Sequence, residues 1–449
     1  MNRADSSGLQ APPTTPRFYR WHRFQREPHV FFHDLMSTYG DVVRWRGLFD
    51  AYLIYHPEYA RRVLAQDYTH FSKRTIDYRV LAQIMGKGLI TNDGPHWVKQ
   101  RKLMQPLFSN RNVDSFDGTI NALTQEMVVD WERRVAGGPL WIEREMSGLT
   151  FRIAGRTLFG SDIDEYATEV AAIVEAVNLE PQELRALMTL VPWLPTPHNL
   201  KWKRAMKRLD EIVYTMIDER LRDAGRDENI LDRLINARDQ ETGESMPRTQ
   251  MRDEVVTLML AGHETSANAL TWTLYLLGTH PEVEQRLVGD LNAALGGEPA
   301  SAADLGRLPY LKQVVQESMR LYPPVWGSAR RCEQEEALGS YLLPAGSYVG
   351  VVSYALHRHP AFWPDPERFD PDRFTPGASE GRHSYCYLPF AAGPRTCIGA
   401  NMAMLEVQLV LAQLLQRFEL RPVPDHPVES VAKVTLKPKY GLPMNVRRR

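Results

Sequence analysis

A mainly α fold with small β-sheets is what this sequence predicts, on three observations. Apolar residues recur at three- and four-residue spacings from about residue 93 to residue 322, punctuated by Pro and Gly. One stretch, Arg248 to Thr279, is nearly all apolar or small in its middle, which marks a helix crossing the interior. Against these stand short β-like runs at Val42 to Trp45, Ala51 to Tyr55, Tyr348 to Ser353 and Val431 to Leu436, each bounded by turn residues.

In chain order, Met1 to Arg17 is polar and Pro-rich and has neither a signal-peptide core nor a membrane-length apolar run; a mobile tail is expected there. Residues 18–449 contain no Gly/Ser linker, charge block, low-complexity stretch or fixed-period repeat, so a single domain is expected. The runs at 42–55, 348–353 and 431–436 build small sheets to one side. The long helix is bounded by Pro247 and by His280-Pro281, and its length spans a whole domain. From His359 to Arg395 the chain is rich in Pro, Asp and aromatics, too broken for regular elements and too aromatic for a free linker. That is an ordered meander. Ala400 to Phe418 is again apolar and helical.

The 54 basic and 55 acidic residues nearly cancel, which removes any global electrostatic case for a nucleic-acid partner. Three cysteines, Cys332, Cys386 and Cys397, are too few and too odd for a disulfide scaffold, and point to a reducing compartment. No segment reaches the roughly 18 uninterrupted apolar residues that span a bilayer. A cytoplasmic protein is expected.

Two segments carry chemistry. Phe390-Ala391-Ala392-Gly393-Pro394-Arg395-Thr396-Cys397-Ile398-Gly399 leads straight into the helical stretch at Ala400. A cysteine at a helix N-terminus is favoured as thiolate, the metal-ligating form, and the small residues at 391–393 and 399 let backbone lie close to a flat cofactor. A lone cysteine is more often a buried small hydrophobe. A zinc site with His383 and Cys386 lacks a fourth ligand at close spacing to Cys397. Within the long helix, Ala261-Gly262-His263-Glu264-Thr265-Ser266 places a polar pair in an apolar interior. Gly262 costs about 1 kcal/mol there relative to Ala, and Thr265 can bond back to a carbonyl one turn earlier. A zinc-protease reading of His263-Glu264 fails because Ala267 stands where the second histidine is needed.

Phe390, Gly393, Arg395, Cys397 and Gly399 stand where the cytochrome P450 family has its haem-binding signature, and the chain resembles that family from about residue 30 onward. Ala391 and Ala392 replace further glycines usual in the family. The resemblance implies the P450 fold, with haem b enclosed between the long interior helix and the cysteine-loop helix, and Cys397 as the iron's axial thiolate. It implies that Ala261 leaves room for dioxygen, that Thr265 hydrogen-bonds dioxygen and that Glu264 helps relay protons. Trp97 and Arg101, with Arg330 and Arg395, match positions that bind the haem propionates. Glu317 and Arg320 match the ExxR segment, with a buried network completed by Arg368 of Pro366-Glu367-Arg368-Phe369.

The resemblance further implies a monooxygenase that inserts one oxygen atom from dioxygen into a hydrophobic organic substrate. Fatty acids, terpenoids, steroids and polyketides all fit. Its pocket would draw on the segments near Phe71 to Ile90, Leu179 to His198, Leu258 to Ala261 and Val325 to Ser328. No flavin, nicotinamide or iron–sulfur motif is present, so a separate ferredoxin or flavodoxin with its reductase is the expected electron source, docking near the cysteine loop on Lys99, Lys102 and neighbouring arginines through complementary charge. A haem-thiolate isomerase or peroxygenase, or a haem sensor or electron carrier, would share Cys397; Glu264 and Thr265 favour the monooxygenase.

Overall fold

The computed structural model describes residues 9–160, 194–222, 228–239 and 241–449. Two compact units emerge, one made of Met1–Arg79, Met319–Phe369 and Pro376–Cys397, the other of Val80–Ser318, Asp370–Thr375 and Ile398–Arg449.

The first unit is built on a five-stranded sheet in the order Val42–Arg46, Asp50–Ile54, Tyr348–Val351, Ser328–Cys332, Phe71–Ser72. Asp50–Ile54 runs parallel to Tyr348–Val351, and the other pairings are antiparallel. Side chains alternate across a strand, so Tyr52 and Ile54 enter a core with Val63, Leu64, Phe71 and Val349. Leu53 and Tyr55 enter another with Phe31, Leu35 and Trp45. The described part of the segment expected as a mobile tail is tied down instead. Gln10 bonds to Ser340 and Leu342, and the Thr15 N–H and the Pro13 carbonyl bond to Arg44 on the edge strand. An edge strand offers unpaired backbone groups, and the nearby chain takes them up.

In the second unit the helix Arg248–Thr279 has the predicted bounds. Pro247 needs no N–H partner at its start, and the His280 N–H bonds back to Leu277 just before Pro281. Ala400–Arg417 follows the cysteine loop and packs on the long helix, where Ser266 Oγ donates to Glu406 Oε2 at 3.1 Å. The run Val431 to Leu436 is not one strand. Ser430–Ala432 and Leu436–Pro438 pair as a hairpin, with the Lys433 N–H on the Thr435 carbonyl at the turn. The hairpin is fastened to the long helix at three residues four apart, hence on one face. Lys437 meets Glu264 at 3.0 Å, Asn268 donates to Thr435 at 3.1 Å, and the Trp272 indole donates to the Leu436 carbonyl at 3.1 Å. Among the described residues no helix is long and apolar enough to cross a membrane.

Candidate active site

The cysteine loop belongs to the first unit and is shaped by its own backbone. The Cys397 N–H donates to the Phe390 carbonyl at 2.9 Å, and the Thr396 hydroxyl to the same oxygen at 3.3 Å. Between them the chain turns through two left-handed residues, Ala391 (φ 56°) and Gly393 (φ 72°). A Cβ on Gly393 would overlap the Leu64 carbonyl, so glycine is required there. Ala391 holds a conformation that glycine adopts freely and alanine adopts at a cost.

The three thiols differ. Cys332 and Cys386 are buried, and desolvation pushes their pKa values up to about 12 and about 11; both stay protonated near neutrality. Cys397 is exposed. It is therefore the cysteine able to present sulfur to a cofactor. Among the described residues no group of three or more His, Cys, Asp or Glu side chains could hold a metal ion.

The approach to the loop is organised by Arg320, which is fully buried. Its guanidinium donates to the carbonyls of His357 (3.0 Å), Pro366 (2.6 Å) and Arg368 (3.1 Å), and it lies over the Trp363 ring. Trp363 in turn donates to the Cys386 carbonyl at 3.3 Å. The His357 Nε2 accepts the Leu388 N–H at 2.7 Å, so its Nδ1 carries the proton and donates to the Arg320 carbonyl. Burial and the adjacent Arg320 and Arg358 lower this imidazole to about 3, which keeps it neutral. Nothing local in the sequence singles out His357.

Arg368 does not play the expected part. Its side chain is exposed, and it joins the network through its carbonyl. Within the second unit Arg373 lies beside Glu317, with Nε 3.3 Å from Glu317 Oε1, which also accepts the Asp370 N–H at 2.9 Å. Pro371-Asp372-Arg373-Phe374 repeats the Pro-acid-Arg-Phe pattern five residues on. The second copy, not the first, reaches the carboxylate.

On the long helix, Thr265 Oγ1 donates to the Ala261 carbonyl at 2.7 Å, one turn back. Among the described residues a Cβ on Gly262 would meet only Leu158, at 3.4 Å, so their packing does not demand glycine there. His263 points to the neighbouring helix Ile142–Ala154, with Nε2 2.9 Å from the Ser147 hydroxyl and its carbonyl accepting from Thr150. Burial lowers its pKa, and it is neutral. Glu264 faces the hairpin and is paired with Lys437, both side chains half-buried. Two residues on, Ser266 donates to Glu406, whose burial raises its pKa to about 8. Lys437 and Glu406 lie more than a hundred residues away in sequence, and no spacing rule points to them.

The remaining predicted residues fall in both units. In the first, Arg330 is buried on its strand and donates to the Tyr78 hydroxyl at 3.2 Å and the Ala329 carbonyl at 2.7 Å; Arg395 lies in the cysteine loop. In the second, Trp97 is buried and Arg101 half-buried on the helix Gly94–Met104, and Gly399 caps the helix that follows Cys397. Lys99 and Lys102 already have acids within the chain, Asp239 and Glu244 at 3.6 and 3.7 Å and Glu241 at 3.3 Å. Of the expected pocket segments, Leu179 to Trp193 lies outside the described residues.

A family model described as Cytochrome P450 matches residues 10–443, and the chain belongs to that family. It is 35% identical over 417 residues to cyclooctat-9-en-7-ol 5-monooxygenase of Streptomyces melanosporofaciens, covering 92% of this chain and 90% of that one. Pentalenene oxygenase of Streptomyces avermitilis is 31% identical over 420 residues, with 93% and 92% covered. The crystal structure of the cytochrome P450DA haem domain is similar with a TM-score of 0.88 at 27% identity, over 98% of each chain. The fold is the cytochrome P450 fold, the cofactor is haem b, and the protein is a haem-thiolate monooxygenase.

Proposed function

We propose that this P450 oxidises a cyclic terpene and that Cys397 is its haem ligand. The observation that carries the ligand assignment is the contrast among the three thiols: two are buried and protonated, and Cys397 is exposed on a backbone-tied loop. Bound haem supplies the reductive activation of dioxygen. Around it, Phe390 and Gly399 flank the ligand loop, Trp97, Arg101, Arg330 and Arg395 hold the propionates, and Ala261 leaves space on the long helix. The Thr265 hydroxyl and the Glu264 carboxylate hold and pass protons, with Lys437 keeping Glu264 in place. The terpene class rests on the names of two bacterial relatives that align over about nine-tenths of the chain, a cyclooctat-9-en-7-ol 5-monooxygenase and a pentalenene oxygenase. Electrons come from a separate ferredoxin or flavodoxin with its reductase, in the cytoplasm, docking on surface cations that include Lys99 and Lys102.

The test reduces the protein under carbon monoxide, alongside Cys397→Ser, and then supplies oxygen, a surrogate ferredoxin system and a panel of cyclic terpenes beside linear fatty acids. Thiolate ligation gives a red-shifted Soret band that the variant lacks. An unshifted band in the wild type removes the ligand assignment; turnover of the fatty acids alone removes the terpene assignment.

A further inference from the structure

The turn at residues 86–92 is latched to the long helix, and the latch centres on one buried carboxyl. Glu254, fully buried, accepts the Leu89 N–H on Oε2 at 3.0 Å and the side-chain amides of Gln100 and Gln250 on Oε1 at 2.8 and 2.9 Å. Both glutamines also donate to the Lys87 carbonyl, each at 2.9 Å. Asp253 takes the Lys87 N–H at 2.8 Å, and Arg252 takes the Ile84 carbonyl at 2.9 Å. The approach is as close as backbone permits. A Cβ on Gly86 would overlap the Asp253 carboxylate, and one on Gly88 the Thr257 hydroxyl.

The location of this latch gives it a consequence. Thr257, Ala261 and Thr265 are spaced by four and share one face of the helix. The turn therefore rests on the face that carries Thr265, two helical turns and about 12 Å along the axis. A buried carboxyl held by three N–H donors is an expensive way to fasten a turn that an apolar side chain could cover. Burial, with Asp253 beside it, raises the carboxyl to about 7 against those hydrogen bonds.

We propose that Glu254 is a positioning residue for substrate: by holding the Leu89 amide it fixes the turn 86–92 as a wall beside the Ala261–Thr265 face and so sets which bulky molecules reach that face. The inference rests on the reading of that face as the oxygen-activating site. Glu254 touches no substrate itself.

The experiment uses full-length, haem-loaded protein and Glu254→Gln, which keeps the shape but turns an N–H donor toward the Leu89 N–H or toward the two glutamines. Two readouts are taken: backbone amide exchange across 84–92, and dissociation constants for imidazole and for 4-phenylimidazole from the ferric Soret shift. Exchange across 86–92 is expected to rise about ten-fold with other segments unchanged. The 4-phenylimidazole constant is expected to move about five-fold while imidazole holds, because only the bulky ligand needs the wall. Unchanged exchange, or equal shifts for both ligands, overturns the proposal. If Glu254→Gln does not load haem, Glu254→Asp, which withdraws the carboxylate by one bond, takes the same two readouts. The exchange measurement is independent of iron ligation, so an unshifted carbon monoxide spectrum in the wild type would sink the site reading and leave the latch to be judged by exchange.

Discussion

In the loop from Phe390 to Gly399, the bonds that hold the chemistry close within ten residues: Cys397 to Phe390, Thr396 to Gly393 and to Phe390. In the long helix the bonds come from far away: Glu264 to Lys437, Ser266 to Glu406, His263 to Ser147 and Glu254 to Leu89. A ligand loop must present one sulfur in one place, and short-range backbone geometry fixes it at little entropic cost. The long helix takes the partners of its polar residues from other elements, so changes elsewhere in the chain can retune it. Locally held chemistry should therefore respond most strongly to local substitutions. The helix should respond to distant ones.

The largest effect expected is at the meander. Arg373→Leu removes a cation that lies 3.3 Å from the fully buried Glu317 carboxylate, and weakening a buried pair costs up to about 3–5 kcal/mol. Arg368→Leu removes an exposed guanidinium and leaves the carbonyl that Arg320 uses, so it should stay within about 0.5 kcal/mol of wild type. Denaturant unfolding at equal haem loading separates the two. Equal losses would restore Arg368 to the network and return the meander to the simple reading of its first motif.

An intermediate effect tests the distant partners. Glu406 keeps its proton in the folded state up to about pH 8, because burial outweighs the Ser266 hydrogen bond. The unfolded chain releases it near the ordinary glutamate value. Between those two pH values the folded state binds more protons, so stability falls as pH rises, by up to about 1.4 kcal/mol per unit. Below the window the contribution is fully present, and above it the loss is complete. Glu406→Gln removes this proton, so its melting temperature should decline less steeply than wild type from pH 5 to pH 8. Parallel curves would mean that Glu406 is solvated and ionised, and that the helix pair is wetter than its packing indicates.

The same division explains what could be read from sequence. The long helix was legible to its end residues because Pro247 and His280-Pro281 bracket an apolar run, and the place of Cys397 just before a helix was legible because loop and helix are contiguous. Thr265 bonding back to Ala261 followed from helix geometry alone. The misreadings have a common cause. Val431 to Leu436 is apolar enough for a strand, but its turn at 433–435 contains neither Gly nor Pro. Arg368 and Arg373 sit in near-identical motifs, and only burial tells them apart. Residues 10–15 look like tail because their partners are backbone groups of a sheet edge, which no side-chain pattern announces. Lys437, Glu406, His357 and Glu254 act through contacts that the chain makes only once folded.

The smallest effect probes whether the cysteine loop is held by its backbone, and it compares two adjacent alanines. Ala391 sits at φ 56°, where a Cβ costs about 1 kcal/mol or more, and Ala392 is extended at φ −157°. Glycine at either position loosens the unfolded chain by a similar amount, about 0.4–1 kcal/mol. At 391 it also relieves strain in the folded loop; at 392 it relieves nothing. Ala391→Gly should therefore be neutral or slightly stabilising, and Ala392→Gly destabilising by about 0.5–1 kcal/mol. Urea unfolding of the two variants side by side reads the difference directly. If both lose the same stability, Ala391 carries no strain in solution, and the loop must owe its shape to the bound cofactor and not to its own chain.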